Sequence, residues 1–309
     1  MKVLLTGGHG MLARSIRSAW SDESAELVAI GRSDVDLTDS HATREAFKRI
    51  GPDVIVHTAA KVGGIAANVG DQSSFLMENL LIDSSVTRGA FDLGVKSLVY
   101  IGSSCMYPKD YRQPLVESDV LAAPLEPTNE GYAIAKIAGA KYCGYLSSQF
   151  DVDYKVIVPS NLYGPDDDYS LTRGHLVAAA LRKAHDAKRT GAQHIDVWGD
   201  GKARREFTYV GDISRWIATA LPTLSSWPSL MNLGFGQDHS VLDYYRYALE
   251  VVGYDCELVT DPSKPAGMQV KLMDSTQAKR FGWAPSTGMV QGMKMAYARF
   301  LECGAGLQE

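Results

Sequence analysis

Short aliphatic runs alternate with amphipathic stretches through the first half of the chain. Residues 3–5 (VLL) close on Thr6-Gly7-Gly8 and lead into helical periodicity through Trp20. Further strands are predicted at 26–30, 53–57 (DVIVH), 98–101 and 154–158, with helices at 43–50, 79–93 and 132–149 between them. The strand positions are aliphatic throughout rather than alternating with polar residues, so both faces of the sheet are expected to be covered. Strands alternating with helices in this way predict an α/β fold, a doubly wound parallel sheet of the Rossmann type.

After Pro159 the pattern changes. Segment 163–205 is loop-rich, with an acidic run at Asp166-Asp167-Asp168 and a helix predicted over 175–188. Residues 207–210 and 230–233 are expected to return as strands, and helices are expected at 241–252 and 289–301, with a short strand at 257–260 and a loop through Pro265. The expected division is a nucleotide-binding domain over 1–162 with a returning segment 206–235. Residues 163–205 and 236–309 would then form a smaller C-terminal α/β lobe for the substrate.

Composition narrows the function classes. The chain has 309 residues, is 45% hydrophobic and 22% charged, and carries a net charge of −5, which argues against a general nucleic-acid or membrane-surface binder. Cys105, Cys143, Cys256 and Cys303 show neither CxxC nor Cys/His spacing, so no metal site is expected and a reducing, cytoplasmic location is. MKVLLTGG is too short an apolar run for a signal peptide, and no stretch approaches the ~20 apolar residues of a membrane span.

Two motifs carry chemistry. Gly7, Gly8, His9, Gly10, Met11, Leu12 and Ala13 contain G-x-x-G-x-x-A directly between the first strand and the first helix. Glycines there let the backbone approach a pyrophosphate, whose charge a helix N-terminus favours; a tight turn is the plain alternative, and the strand–turn–helix context favours the dinucleotide. The second strand ends in Gly31-Arg32 with no acidic residue, and a guanidinium there suits a 2′-phosphate, so NADP(H) is the expected cofactor. Asp36 and Asp39 would lie near the adenine or serve as a solvated turn and helix cap.

The second motif is Tyr132-Ala133-Ile134-Ala135-Lys136, whose i,i+4 spacing puts a phenol and an ammonium on one helical face. The lysine is expected to lower the phenol pKa. With Ser103 after the preceding strand this forms a coherent set: Ser103 to hydrogen-bond a carbonyl oxygen, Tyr132 to protonate it, Lys136 to hold the nicotinamide ribose.

GGHGMLA (7–13), GSSCMYP (102–108) and YAIAK (132–136) together resemble the extended short-chain dehydrogenase/reductase family. AAKVGGIAAN (59–68), LEPTNEGYAIAKIAG (125–139), NLYGP (161–165), WGDG (198–201), RREF (204–207) and SKPAG (263–267) are similar to its branch acting on GDP-linked 4-keto-6-deoxy sugars. The resemblance implies an NADPH-dependent enzyme that epimerises C3 and C5 and reduces C4. It implies that Ser103, Tyr132 and Lys136 are the reductase triad, and that Cys105 and His175 are the epimerisation pair. Ile101, Gly102, Ser103, Ser104, Pro159, Ser160, Asn161, Leu162 and His175 fall on cofactor-lining positions, and Lys183, Trp198 and Arg205 on positions that hold the sugar nucleotide. A homodimer is also implied, built on helices 79–93 and 132–149, whose apolar residues cover more than one face.

Four positions depart from the branch. His9 stands where arginine is usual, Gly131 where proline is common, and Ala266 and Val270 where aspartate and arginine are common. The alternatives are a related enzyme on another GDP-4-keto-deoxy sugar, a colitose-type dideoxyhexose or a deoxyheptose, and a non-catalytic NADP-binding sensor. The sensor is disfavoured because the tyrosine and lysine are both present.

Overall fold

A computed structural model describes residues 1–264 and 267–303. The chain opens with β1 (Lys2–Thr6), α1 (Met11–Ala19), β2 (Glu26–Ile30), α2 (Ser40–Ile50) and β3 (Val54–His57). A short α3 (Ile65–Gly70) precedes the long α4 (Gln72–Asp92), followed by β4 (Ser97–Ile101), α5 (Glu130–Gln149) and β5 (Asp153–Pro159). Next come β6 (Asn161–Tyr163), α6 (Leu176–Thr190), β7 (His194–Trp198), β8 (Arg204–Tyr209), α7 (Val210–Ala220) and β9 (Leu230–Leu233). The chain continues with β10 (Asp238–Ser240), α8 (Val241–Val252), β11 (Glu257–Asp261), β12 (Val270–Lys271), α9 (Thr276–Lys279) and α10 (Met289–Glu302).

The large sheet has six strands in the order β2-β1-β3-β4-β5-β9, all paired in parallel. Its aliphatic strands are buried on both faces. Leu4, Ile55, Leu98 and Val156 point into one core with α2, α4 and α5; Val3, Val56, Val99 and Ile157 point into the other with α1 and α7. This is the doubly wound sheet that the unbroken apolar runs require. A third core, including Tyr163, Leu181, Phe207, Tyr244 and Phe300, holds α6, α8 and α10 together.

Two features differ from expectation. The helix expected over 79–93 begins about two turns earlier, at Gln72, because Asp71 caps its first turn (Asp71 Oδ1 accepts from Ser74 N at 3.4 Å) and Phe75 is buried. The segment expected to return to the large sheet does so only in part. β9 joins its edge and α7 packs on α1, but β8 lies in a separate sheet, ordered β10-β8-β12 with β6 also paired to β8. Glu206 explains this. Buried within β8, its carboxylate accepts from Gly236 N at 2.6 Å and Met273 N at 3.0 Å, binding the strand to the segments around β10 and β12. An aliphatic pattern predicts a strand but does not say which sheet it enters.

Candidate active site

The strand order reverses between β1 and β3, and the crevice beyond their carboxyl ends is where this topology accepts a ligand. A cleft of about 850 Å³ opens there. Gly7, His9, Gly10, Met11, Leu12 and Ala13 line it from the first turn, and Arg32 from the end of β2. Ile101, Gly102, Ser103 and Ser104 line it from the end of β4, Pro159, Ser160, Asn161 and Leu162 from beyond β5, and His175 from the start of α6. Gly8 lies behind the loop, buried, its N–H donating to the Ile30 carbonyl at 2.7 Å.

The loop fits a dinucleotide. Gly7 has φ +70°, and a Cβ there would meet the Ala59 backbone at 2.8 Å. Gly10 is the N-cap of α1 and offers no side chain, so the first-turn amides open into the cleft without a capping group. An uncapped helix start of this kind takes an anionic pyrophosphate. His9, the departure from arginine, packs its ring over Gly31, with Nε2 3.5 Å from Ser33 Oγ. Asp39 is the cap of α2, accepting from His41 N and Ala42 N, whereas Asp36 lines the cleft.

Ser103, Cys105, Tyr132, Lys136 and His175 all line this cleft. The β4 strand delivers the first two: Ser103 ends the extended backbone, and its Oγ accepts from Cys105 N at 3.2 Å, turning the chain. Tyr132 stands one turn into α5 with its ring edge-on to Phe75 of α4. Gly131 beside it donates to Gln72 Oε1 at 3.0 Å, and a Cβ at Gly131 would lie 2.6 Å from the Gln72 carbonyl oxygen. The absence of a ring at this position lets α5 and the start of α4 touch.

Burial holds the Tyr132 phenol well above its ordinary pKa, reinforced by Cys105 and Asp83 and opposed by a hydrogen bond from Ser103. The expectation that Lys136 lowers it is corrected by the geometry. The Lys136 ammonium is itself buried and lies 3.4 Å from Asp83 Oδ1. The i,i+4 spacing puts both groups on one face, but a long side chain under the floor pairs with a carboxylate rather than with a phenol. The phenol is therefore un-ionised, the state a proton donor needs.

Cys105 is half-buried, with Asn129 Nδ2 at 3.0 Å and Lys271 Nζ at 3.9 Å from its sulfur. His175 reaches the same cleft because the loop before α6 is pinned to the AAKVGGI segment: Gly64 N donates to the Arg173 carbonyl at 2.8 Å. Burial, then the Lys271 charge, holds its imidazole below the ordinary value, with Asp168 opposing. His175 is thus neutral and able to accept a proton at pH 7.

Lys271 and Asn129 are cleft residues beside Cys105 that the sequence motifs did not reveal. Lys271 is buried, also donates to Ser104 Oγ at 3.2 Å, and belongs to a strand of only two residues, too short for a periodic signal. Asn129 lay in plain view within LEPTNEGY, three residues before the tyrosine.

The three residues expected to hold the sugar nucleotide do not line the cleft itself. Arg205 is adjacent to Lys271 across the β8–β12 pairing, and burial pulls its guanidinium below the ordinary value, with Glu126 and Cys105 opposing. Lys183 Nζ donates to the Asp196 carbonyl at 2.6 Å, and Trp198, two residues on, is 41% exposed, with Lys264 Nζ 5.9 Å from its ring. Trp198 is therefore not a core residue. Val270 pairs with Arg204 in the β8–β12 ladder, and Ala266 lies outside the described residues.

The fold and the site define a class: a doubly wound nucleotide-binding α/β protein with serine, tyrosine and lysine together at its switch point. A family model described as the NAD dependent epimerase/dehydratase family matches residues 3–234. A GDP-L-fucose synthase of Azorhizobium caulinodans is 39% identical over 300 residues, 97% of this chain and 96% of that protein. A GDP-L-colitose synthase of Yersinia pseudotuberculosis is 36% identical over 302 residues, covering 97% and 98%. Among solved structures, the GDP-mannoheptose C4 reductase MlghC from Campylobacter jejuni with NADP bound superposes with a TM-score of 0.86 at 29% identity, covering 97% of this chain and 98% of that one. The chain belongs to the NAD dependent epimerase/dehydratase family, whose extended short-chain reductase fold it carries.

Proposed function

We propose that this protein is an NADPH-dependent epimerase/reductase that converts GDP-4-keto-6-deoxy-D-mannose to GDP-L-fucose, inverting C3 and C5 and then reducing C4. The carrying observation is that Ser103, Tyr132, Cys105 and His175 line one cleft whose other end is an uncapped glycine-loop helix. NADPH, when bound, supplies the hydride for C4.

A ketone at C4 acidifies the C–H bonds at C3 and C5, because the resulting carbanion delocalises onto the oxygen. A thiol and an imidazole are residue types able to exchange protons near neutrality, and Cys105 and His175 supply one for each face of the ring. Asn129 and Lys271 stabilise negative charge on the sulfur. Ser103 and Tyr132 hold the C4 oxygen throughout, as enolate during inversion and as the accepting carbonyl during reduction, when Tyr132 gives up its proton. One electrophilic position serves both reactions. Lys183, Trp198 and Arg205 are proposed to hold the GDP portion beyond the cleft.

Turnover of GDP-4-keto-6-deoxy-D-mannose with NADPH, with the product's configuration read by NMR, tests this. A product of unchanged C3 and C5 configuration, or no NADPH oxidation, would sink it. The second reading, a GDP-4-keto-dideoxyhexose as substrate, is favoured by the 36% identity to the colitose synthase and by Val270 in a block where the branch carries arginine. Competition between the two sugars in the same assay decides between them.

NADPH is expected to be preferred over NADH by about tenfold or more, the worth of one charge-assisted phosphate–guanidinium contact. Arg32 lines the cleft, is exposed, and has no acidic residue directly at the end of β2. Equal kcat/KM values for the two cofactors, or an unchanged ratio in Arg32→Ala, would remove Arg32 from this role.

The protein is further proposed to be a cytoplasmic homodimer. Its four cysteines are free, and among the described residues no helix is long and apolar enough to cross a membrane. α4 and α5 pack together, yet Met77, Leu81, Ile134 and Tyr145 stay 43–58% exposed on them. A helix pair with this surplus meets its symmetry mate in an isologous four-helix contact. Sedimentation equilibrium at micromolar concentration is expected to give twice the chain mass; a monomer overturns the dimer.

A further inference from the structure

A carboxylate lies beneath the floor of the cleft, and the catalytic scheme above does not use it. Asp83, on α4, is 2% exposed, as is Lys136. Both oxygens are engaged. Oδ1 takes His57 Nε2 at 3.0 Å and Lys136 Nζ at 3.4 Å, and Oδ2 takes the Tyr100 hydroxyl at 2.5 Å and the same ammonium at 3.5 Å. His57 is fixed from its other side by Thr6 Oγ1, 2.8 Å from Nδ1. The partners come from β3, β4 and α5, so three elements aim polar groups at one carboxylate in an otherwise apolar layer, and β1 fixes His57 from behind.

Burial and close packing make this arrangement specific. Burial keeps the His57 imidazole neutral, so it donates from Nε2 and accepts from Thr6 at Nδ1. Burial would raise the Asp83 carboxyl, but the Lys136 charge and the bonds from His57 and Tyr100 outweigh it and hold the group ionised. One turn beyond Lys136, Gly139 leaves room for Tyr100; a Cβ there would strike the Tyr100 hydroxyl and push it off Asp83. A buried ion pair adds little stability over apolar residues of equal volume. The fold alone therefore gives no reason to keep it.

We propose that Asp83 is a positioning residue, fixed by His57 and Tyr100, that keeps Lys136 charged and in place beneath the cofactor and substrate cleft. This rests on the function proposed above, in which Lys136 holds the nicotinamide ribose. Without the carboxylate, burial favours the neutral amine, and lysine without charge is a poorer donor to the ribose hydroxyls. The groups facing Lys136 are Asp83 on α4, His57 on β3, Tyr100 on β4, and Tyr132 and Cys143 on its own helix. Burial holds Tyr100, Tyr132 and Cys143 protonated and His57 neutral through pH 6.5–9, so among the described groups facing Lys136 it is Asp83 that supplies the opposing charge.

The test is NADPH binding by fluorescence from pH 6.5 to pH 9, for wild type and Asp83→Asn. Asparagine keeps the shape and can still accept from His57, so a merely structural role would lower the melting temperature but leave the pH dependence parallel to wild type. The proposal expects NADPH affinity in the variant to fall by about tenfold or more across that range, while wild type changes by less than about threefold. Parallel curves overturn it.

Melting temperatures of Lys136→Met and of Asp83→Asn/Lys136→Met keep the question open to decision if Asp83→Asn alone does not fold. With the lysine gone, the double variant should melt higher than Lys136→Met, because it no longer buries an unpaired carboxylate. A double variant that melts lower, or fails to fold, makes Asp83 structural and overturns the proposal. Failure of wild type to turn over the GDP-keto sugar would sink the functional reading separately, leaving the binding and melting comparisons to judge Asp83.

Discussion

Cys105→Ser is expected to stop epimerisation while hydride delivery to C4 survives. Serine nearly preserves the size of a half-buried side chain and can still meet Asn129 and Lys271. Its hydroxyl is far too weak an acid or base near neutrality to replace a thiol, and loss of a positioned proton carrier slows its step by about 10²–10⁴-fold. Solvent deuterium should therefore wash into the substrate slowly or not at all at the carbon that Cys105 serves. NADPH oxidation should continue on the unepimerised ketone and give a C4-reduced sugar with its original ring configuration. Mass spectrometry of deuterium uptake beside NADPH oxidation reads both activities. Exchange at both carbons at the wild-type rate would reduce the thiol to a packed neighbour of Ser103.

The mirror experiment is Tyr132→Phe. The ring stays edge-on to Phe75 and the burial is unchanged, so folding should be preserved. The hydroxyl that would protonate the C4 oxygen is gone, and reduction should fall by about 10²–10⁴-fold. Deuterium exchange at C3 and C5 should persist, weakened because Ser103 alone then supports the enolate oxygen. Equal loss of exchange and reduction would mean that Tyr132 also carries the protons of inversion, and the division of labour between Tyr132 and the Cys105–His175 pair would fail.

The sequence by itself determined the large sheet and the identity of the reactive groups. Unbroken aliphatic runs at β1, β3, β4 and β5 admit only strands buried on both faces, and G-x-x-G-x-x-A between a strand and a helix leaves few other uses for its glycines. YxxxK and GSSC name chemistry through residue type, which needs no tertiary information. Asp83 was also legible in principle: Asn79, Asp83 and Thr87 recur at helical spacing among apolar residues on the buried side of α4. Polar residues on a buried face signal a network, although spacing does not name its partners.

Tertiary structure decided which groups meet. Lys136 and Tyr132 share a helix face, yet the ammonium turns to a carboxylate from α4, because a buried charge is stabilised most by an opposite charge within reach. Lys271 comes to Cys105 across 166 residues of chain through a strand of two residues, and β8 joins the smaller sheet because the Glu206 side chain ties it there. Local sequence fixes the backbone of an element and the chemistry it carries. Pairings made by long side chains, over distances set by packing, are settled only when the whole chain has closed.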